Sequence, residues 1–303
     1  MAQQLGLLKE LRSSIISEGF RAFGLSPAGW SRKLLEPIVW PPAHRFARLA
    51  LSFDEKVARS GVSEASRWFV DRFAKKVEVF GTERVPLDGP LMVASNHPGV
   101  FDALLIAACL RRNDLKIIVQ NIPFIQRLPH LQRCLIFAPP DPAGRMAALR
   151  SVIRHLDHGG SLLIFPSGRL DPDPAVLPGA FEALHSWSPS LALVLRKVPQ
   201  TSFLVTIVSG VLAPVCLHHP LARLRKCTWE RQKWAELVQG IQQLFYPKSF
   251  SLVPKISIGK PLPAADLAAG EGPPGVLLSI VEKAGLLLAA HTSTSRASLP
   301  DAF

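Results

Sequence analysis

Two hydrophobic rhythms divide the chain. Up to about residue 75 apolar positions recur at helical spacing and strand alternation is lacking. Phe46, Leu49, Ala50, Phe53 and Val57 share one face, while Arg45, Arg48, Lys56 and Arg59 fall elsewhere on the wheel. This predicts a helix over 44–59 that packs its Phe face on the main body. A second helix is expected from Ser63, as N-cap, to about Lys75, carrying Trp68, Phe69 and Phe73. From Lys76 short apolar runs alternate with helical stretches. Strands are expected at 77–80, 91–94, 115–119, 135–137, 161–165, 202–208 and 255–258, with helices at 101–110, 144–156 and 180–187. The alternation predicts fold class α/β, a largely parallel central sheet flanked by helices, with an N-terminal helical segment. A Pro/Ala/Gly-rich link, 261–274, leads to one apolar helix, 275–290. The tail, 291–303, is small and polar and is expected to be disordered. Three parts result: 1–75, 76–262 and 263–303.

The apolar share, 48%, and a mean hydropathy of +0.21 are high for a soluble protein. No run of about 18 uncharged apolar residues reads as a membrane span. The nearest, 203–217, holds Thr206, Ser209, Gly210 and Pro214 and fits a buried strand with its exit turn. Lys9 and Glu10 interrupt the first apolar run and no cleavage pattern follows, so no secretory signal is expected. The net charge is 35 − 23 = +12. It suits nucleic acid, an anionic lipid surface or an acidic co-substrate. Without a zinc spacing, an RNA-binding signature or a dense Lys/Arg block, nucleic acid is not expected. Trp30, Arg32, Lys33 and Trp40 precede Pro41-Pro42, and Trp beside Lys/Arg on a helix is the composition of a membrane-interface segment. Each cation near an anionic bilayer contributes about 1 kcal/mol. The expectation is a cytoplasmic protein peripheral to the inner face of the membrane, with Trp30 and Trp40 touching lipid. Cys109, Cys134, Cys216 and Cys227 lack metal or redox spacing, so no metal and no disulfide are expected.

The most informative chemistry lies at Asn96-His97-Pro98-Gly99-Val100-Phe101-Asp102, between the strand at 91–94 and the helix at 101–110. Pro98 suits a first helical position and Gly99 allows close backbone approach. An Asp on the first turn can reach back to the imidazole, fix its tautomer and make the other nitrogen a base for a hydroxyl. A second reading fits the same residues: Asn96 or His97 caps the helix and Asp102 complements its dipole.

About seventy residues on, Phe165-Pro166-Ser167-Gly168-Arg169 ends another strand. Read with N-H-x4-D at 96–102, it resembles the glycerolipid (phospholipid/glycerol) acyltransferase family, whose second motif is F-P-E-G-T-R. The resemblance covers about 77–261 and implies an acyltransferase domain over 76–262. It implies transfer of a fatty acyl group from an acyl-CoA or acyl-carrier-protein thioester to a hydroxyl of a lipid acceptor, a lysophospholipid or a relative. His97 would be the general base and Asp102 its orienting partner. No cofactor is implied beyond the thioester co-substrate. Backbone N–H groups at Gly99-Val100 are candidate oxyanion donors.

Departures from the family pattern are specific. Ser167 replaces the family Glu, and Arg169 is displaced by one position. Pro139-Pro140 stands where a phosphate-binding Arg is usual, with Arg145, Arg127 and Arg133 as neighbouring substitutes. The substrate-binding set is Asn96, Gly99, Ser167, Gly168, Arg169 and Arg145. Arg169 has a second reading as a solvated partner of Asp171 or Asp173. Ser167 as nucleophile is rejected, because G-x-S-x-G is absent. The alternative function is a non-catalytic lipid-binding peripheral membrane protein on the same scaffold.

Overall fold

The change of rhythm at residue 76 is a change of architecture. The computed structural model describes residues 2–22, 24–26, 29–268 and 272–293. Two helices come first, α1 (Ala2–Ala22) and α2 (Trp30–Phe73). The α/β part follows: β1 (Glu78–Phe80), β2 (Leu91–Ser95), α3 (Asp102–Leu110), β3 (Leu115–Val119), β4 (Leu135–Phe137), α4 (Pro142–Asp157) and β5 (Ser161–Ile164). Then come α5 (Ala180–Leu184), α6 (Ser190–Lys197), β6 (Ser202–Ser209), α7 (Pro214–Leu217), α8 (Pro220–Arg223) and α9 (Thr228–Phe245). The chain closes with β7 (Lys255–Ile258), β8 (Leu262–Pro263), α10 (Ala264–Ala268) and α11 (Pro273–Ser293).

The strands form one sheet in the order β1-β7-β6-β2-β5-β3-β4, with β8 continuing beside β6. Every pairing is parallel except those of β6 with β7 and β8. β2 lies between β5 and β6, with Val93 opposite Leu163 on one side and Leu204 on the other. All five of its residues are buried, because helices cover both faces. Met92, Leu162 and Phe203 turn to one face and meet Val152 and Leu156 of α4, Leu191 and Leu195 of α6, and Ile280 and Ala284 of α11. Leu91, Val93 and Leu204 turn to the other and meet Leu105, Ile106 and Leu110 of α3 with Val62 and Val70 of α2. Period two along each strand distributes these side chains.

α2 breaks at Gly61, which takes φ +79° and has the Asn113 side chain where a Cβ would stand. The expected gap between two helices is thus real, although Ser63 does not cap the second. Its hydroxyl is buried with no partner among the described residues. As expected, the Phe face of this segment packs inward. Leu49, Phe53 and Val57 join Phe69 and Phe73 against Phe101 and Leu104, so α2 buttresses the turn that precedes α3.

Several expectations need correction. α3 begins at Asp102, so Pro98 lies in the loop and not at a first helical position. α6 and α9 were not foreseen. α6 carried a legible signal, the helical spacing of Leu191, Val194 and Leu195. α11 runs through Ser293, so 291–293 are helical. Residues 294–303, the rest of the supposed tail, lie outside the described residues. α11 is also long and apolar enough to cross a membrane. Here it lies against the sheet, and Val276, Ile280, Ala284 and Leu287 belong to the central core.

Candidate active site

β2 delivers the first motif to the carboxyl edge of the sheet, where open parallel sheets bind ligands. Asn96 fixes the exit. Its Nδ2 donates to the Val208 carbonyl (2.9 Å), and its Oδ1 accepts from the Val208 N–H (2.8 Å). The amide therefore extends the β2–β6 ladder by one side chain, and Asn96 is neither a cap nor available to substrate. Phe101 occupies the N-cap position of α3 without a capping side chain, so neither Asn96 nor His97 caps it, while Asp102 does lie in its first turn.

The loop after Asn96 brings His97 onto Asp102. Nδ1 of the imidazole lies 2.9 Å from one carboxylate oxygen and 3.0 Å from the other. Asp102 is fully buried and also accepts the Gly99 N–H (3.1 Å). With Nδ1–H donated to a carboxylate, the second ring nitrogen carries the lone pair. That nitrogen has no hydrogen bond among the described residues, and the His97 side chain is 24% exposed. Burial alone would lower the imidazole pKa. The charge and hydrogen bond of Asp102, with Asp171 behind it, outweigh burial and hold it above the ordinary value.

The second motif packs on the first. Phe165 follows β5 and stacks on the His97 ring. The chain then turns through Gly168 at φ +65°. Ser167 Oγ donates to the Arg169 carbonyl (2.9 Å) and lies 3.2 Å from Asp171 Oδ2. Asp171 in turn accepts the His97 N–H (2.9 Å) and donates its own N–H to the His97 carbonyl (2.8 Å). Asp173 is buried and accepts N–H groups from Ala175, Gly210, Val211 and Leu212. Neither Asp pairs with Arg169, whose exposed side chain makes no ion pair among the described residues. Gly99 has a steric reason to be glycine: a Cβ would meet Val211 Cγ2 at 2.8 Å.

Asn96, His97, Gly99, Asp102 and Ser167 are thus brought together, with Gly168 and Arg169 on the adjoining exposed turn. Arg145 is not. It sits exposed on the first turn of α4, beyond β4, and three strand spacings separate β4 from β2, roughly 14 Å. Arg127 lies beside Glu18 of α1 instead, and Arg133 is exposed.

Sequence reasoning missed α9 altogether. Gln232 is buried, and its Nε2 donates to the carbonyls of both Pro98 (2.8 Å) and Asp171 (2.9 Å), tying the two motif loops together. Glu236, one turn on, accepts the Val100 N–H (3.2 Å). Gln239 holds Ala213 and Val211, and Gln243 holds Phe73. Burial and the nearby Asp102 charge push the Glu236 carboxyl up to about 8. The N–H groups of Gly99 and Val100, expected as oxyanion donors, are therefore both engaged by carboxyls. Positions 232, 236, 239 and 243 share one helical face, and that stripe was the available signal. A polar stripe ordinarily reads as the solvent side, which hid it. No grouping of His, Cys, Asp and Glu that would hold a metal ion occurs among the described residues.

Comparison with known proteins gives a similarity over the central part of the chain. Residues 76–210 match the family described as Acyltransferase. The lysophospholipid acyltransferases LPCAT4 of mouse and of human are each 30% identical to this chain over 160 residues. The matched region is therefore similar to glycerolipid acyltransferases. The aligned stretch is 48% of this chain but only 30% of either LPCAT4, so the chain spans less than a third of those relatives. The crystal structure of the 1-acyl-sn-glycerophosphate acyltransferase PlsC from Thermotoga maritima aligns over 98% of this chain and 99% of its own, at 18% identity and a TM-score of 0.43. Both motifs fall inside the matched region, and α9 falls outside it.

Proposed function

We propose that this protein transfers a fatty acyl group from an acyl-CoA or acyl-carrier-protein thioester to a hydroxyl of a lysophospholipid or related lipid. One observation carries the reading: His97 is held at Nδ1 by the buried Asp102, while its other nitrogen is unengaged at an accessible edge of the sheet. The thioester is already activated, so the reaction needs a base and no covalent enzyme intermediate. His97 Nε2 takes the hydroxyl proton as the oxygen attacks the thioester carbonyl. Asp102 keeps the tautomer and stabilises the imidazolium. Collapse of the tetrahedral intermediate expels the thiolate, which takes the proton from His97.

Residues 76–262 serve as the acyltransferase domain, with 1–75 as a membrane-associating segment and 263–303 as link, C-terminal helix and tail. The protein works at the inner membrane face. Trp30, Leu34 and Ile38 support this, since they recur every fourth residue on α2 and are 78%, 64% and 70% exposed beside exposed Lys33. Trp40 contributes less, because His44 stacks on its ring and Arg12 lies over it.

The test supplies labelled palmitoyl-CoA and palmitoyl-carrier protein, each with a lipid-extract panel. A new labelled lipid is the expected product, and its identity names the acceptor. Free fatty acid alone would make the protein a hydrolase. No turnover with either donor, with vesicle binding intact, would make it a lipid-binding scaffold.

A further inference from the structure

The engaged amides at the head of α3 leave a chemical gap. A tetrahedral intermediate beside His97 needs a donor for its oxyanion. The Gly99 N–H is bonded to Asp102 and the Val100 N–H to Glu236. Glu236 reaches the same loop, since its Oε2 accepts the Val100 N–H three residues after His97. It comes from α9, whose buried polar residues are otherwise the neutral Gln232, Gln239 and Gln243, each bonded to backbone of another segment. Its Oε2 is fixed by Val100, while Oε1 has only a 3.4 Å contact from Gln232.

The charged groups that face Glu236 are Asp102 of α3 and His97 of the preceding turn, and Gln232 Nε2 also holds the Asp171 carbonyl. Cations of the surrounding elements are engaged elsewhere. Arg225 lies over Trp234, Arg231 reaches the Leu217 carbonyl, Lys233 lies over Trp229, and Arg45 of α2 covers Phe245. A carboxyl tucked beside a second carboxylate keeps its proton, and a neutral carboxylic acid is a strong hydrogen-bond donor.

We propose that Glu236, as the neutral acid, donates from Oε1 the hydrogen bond that holds the oxyanion. The inference rests on the acyl-transfer reading and assigns a second catalytic residue to it. As the hydroxyl oxygen bonds to the carbonyl carbon, the C=O π pair moves onto oxygen and His97 takes the hydroxyl proton. Glu236 keeps its O–H throughout and lends only the hydrogen bond. When C=O re-forms, the C–S bond breaks and the thiolate takes the proton from His97.

The experiment compares wild type, Glu236→Ala, Glu236→Gln and His97→Ala by acyl transfer from palmitoyl-CoA across pH, with circular dichroism to confirm folding. Removing one oxyanion donor costs about 10²–10³-fold in kcat. Glu236→Ala should show that loss with little change in KM for the donor. Glu236→Gln, which keeps an acceptor for Val100 and supplies an amide donor, should recover part of it. Wild type should lose activity as pH rises through about 8, where Glu236 ionises, and Glu236→Gln should lack that limb. Infrared spectra at pH 7 should contain a protonated-carboxyl band that Glu236→Gln removes. Undiminished kcat in Glu236→Ala, an alkaline limb that persists in Glu236→Gln, or absence of the band from wild type would each overturn the assignment while leaving the dyad standing. Full activity in His97→Ala would instead overturn the reading on which it rests.

Discussion

The Phe165 ring lies against the imidazole of His97, with centroids 4.1 Å apart and planes 19° from parallel. Phe165 opens the second motif and His97 belongs to the first, so this stack joins the two motifs through side chains. Asp102 fixes one edge of the imidazole and Phe165 one face, leaving the ring a single orientation. Misplacing a reacting group by about 1 Å can cost 10²-fold. Phe165→Leu keeps apolar bulk but removes the flat face, and should lower kcat about 10-fold or more with the thermal midpoint little changed. An unchanged kcat would mean the stack does not orient the base.

The pH dependence of the base follows from its surroundings. Asp102, with Asp171 behind it, holds the His97 pKa above the ordinary value, against the opposing effect of burial. Only the neutral imidazole accepts a proton, so activity should rise with pH through a midpoint above about 6.5. Asp102→Asn removes the carboxylate charge. It should move that acid limb to lower pH while reducing kcat about 10²–10⁴-fold. A limb that stays in place would show that Asp102 does not act on His97.

His291 makes an independent prediction about stability. It is buried at the end of α11, with Ser209 Oγ 2.7 Å from Nε2 and Ser257 Oγ 2.8 Å from Nδ1. Burial, with Lys255 nearby, pushes its pKa down to about 3. The unfolded chain therefore binds a proton here that the folded chain refuses. This group's stabilising contribution is complete above about pH 6.5 and falls with acidification toward 3, by at most about 1.4 kcal/mol per pH unit. His291→Gln should flatten the fall in thermal midpoint between pH 6.5 and 4. Parallel curves for variant and wild type would refute the linkage.

Membrane contact should depend on the α2 stripe. Burying a large apolar side chain contributes about 1.5–3 kcal/mol. Replacing Trp30, Leu34 and Ile38 together by Ala should cut flotation with anionic vesicles more than tenfold. Trp40→Ala should have a smaller effect, since that ring is already covered by His44 and Arg12. Equal flotation of the triple variant and wild type would place the lipid contact elsewhere.

How much of this was legible depends on how local each signal is. The central strands showed because both faces are covered and their residues are continuously apolar. His97 and Asp102 showed because five residues and one turn suffice to bring them together. Asn96 was misread because its partner, Val208, lies on a strand more than a hundred residues away. Asp171 and Asp173 read as solvated loop charges, yet each is buried and bonded to backbone N–H groups from distant segments. Gln232 and Glu236 were the hardest, since nothing in a helical period says that its polar face will close over another loop.

The most direct test of the account is the rate of acyl transfer from labelled palmitoyl-CoA by wild type and by His97→Ala, both verified as folded. Loss of the general base should reduce kcat about 10²–10⁴-fold. Acyl transfer at the wild-type rate in His97→Ala would contradict the central claim.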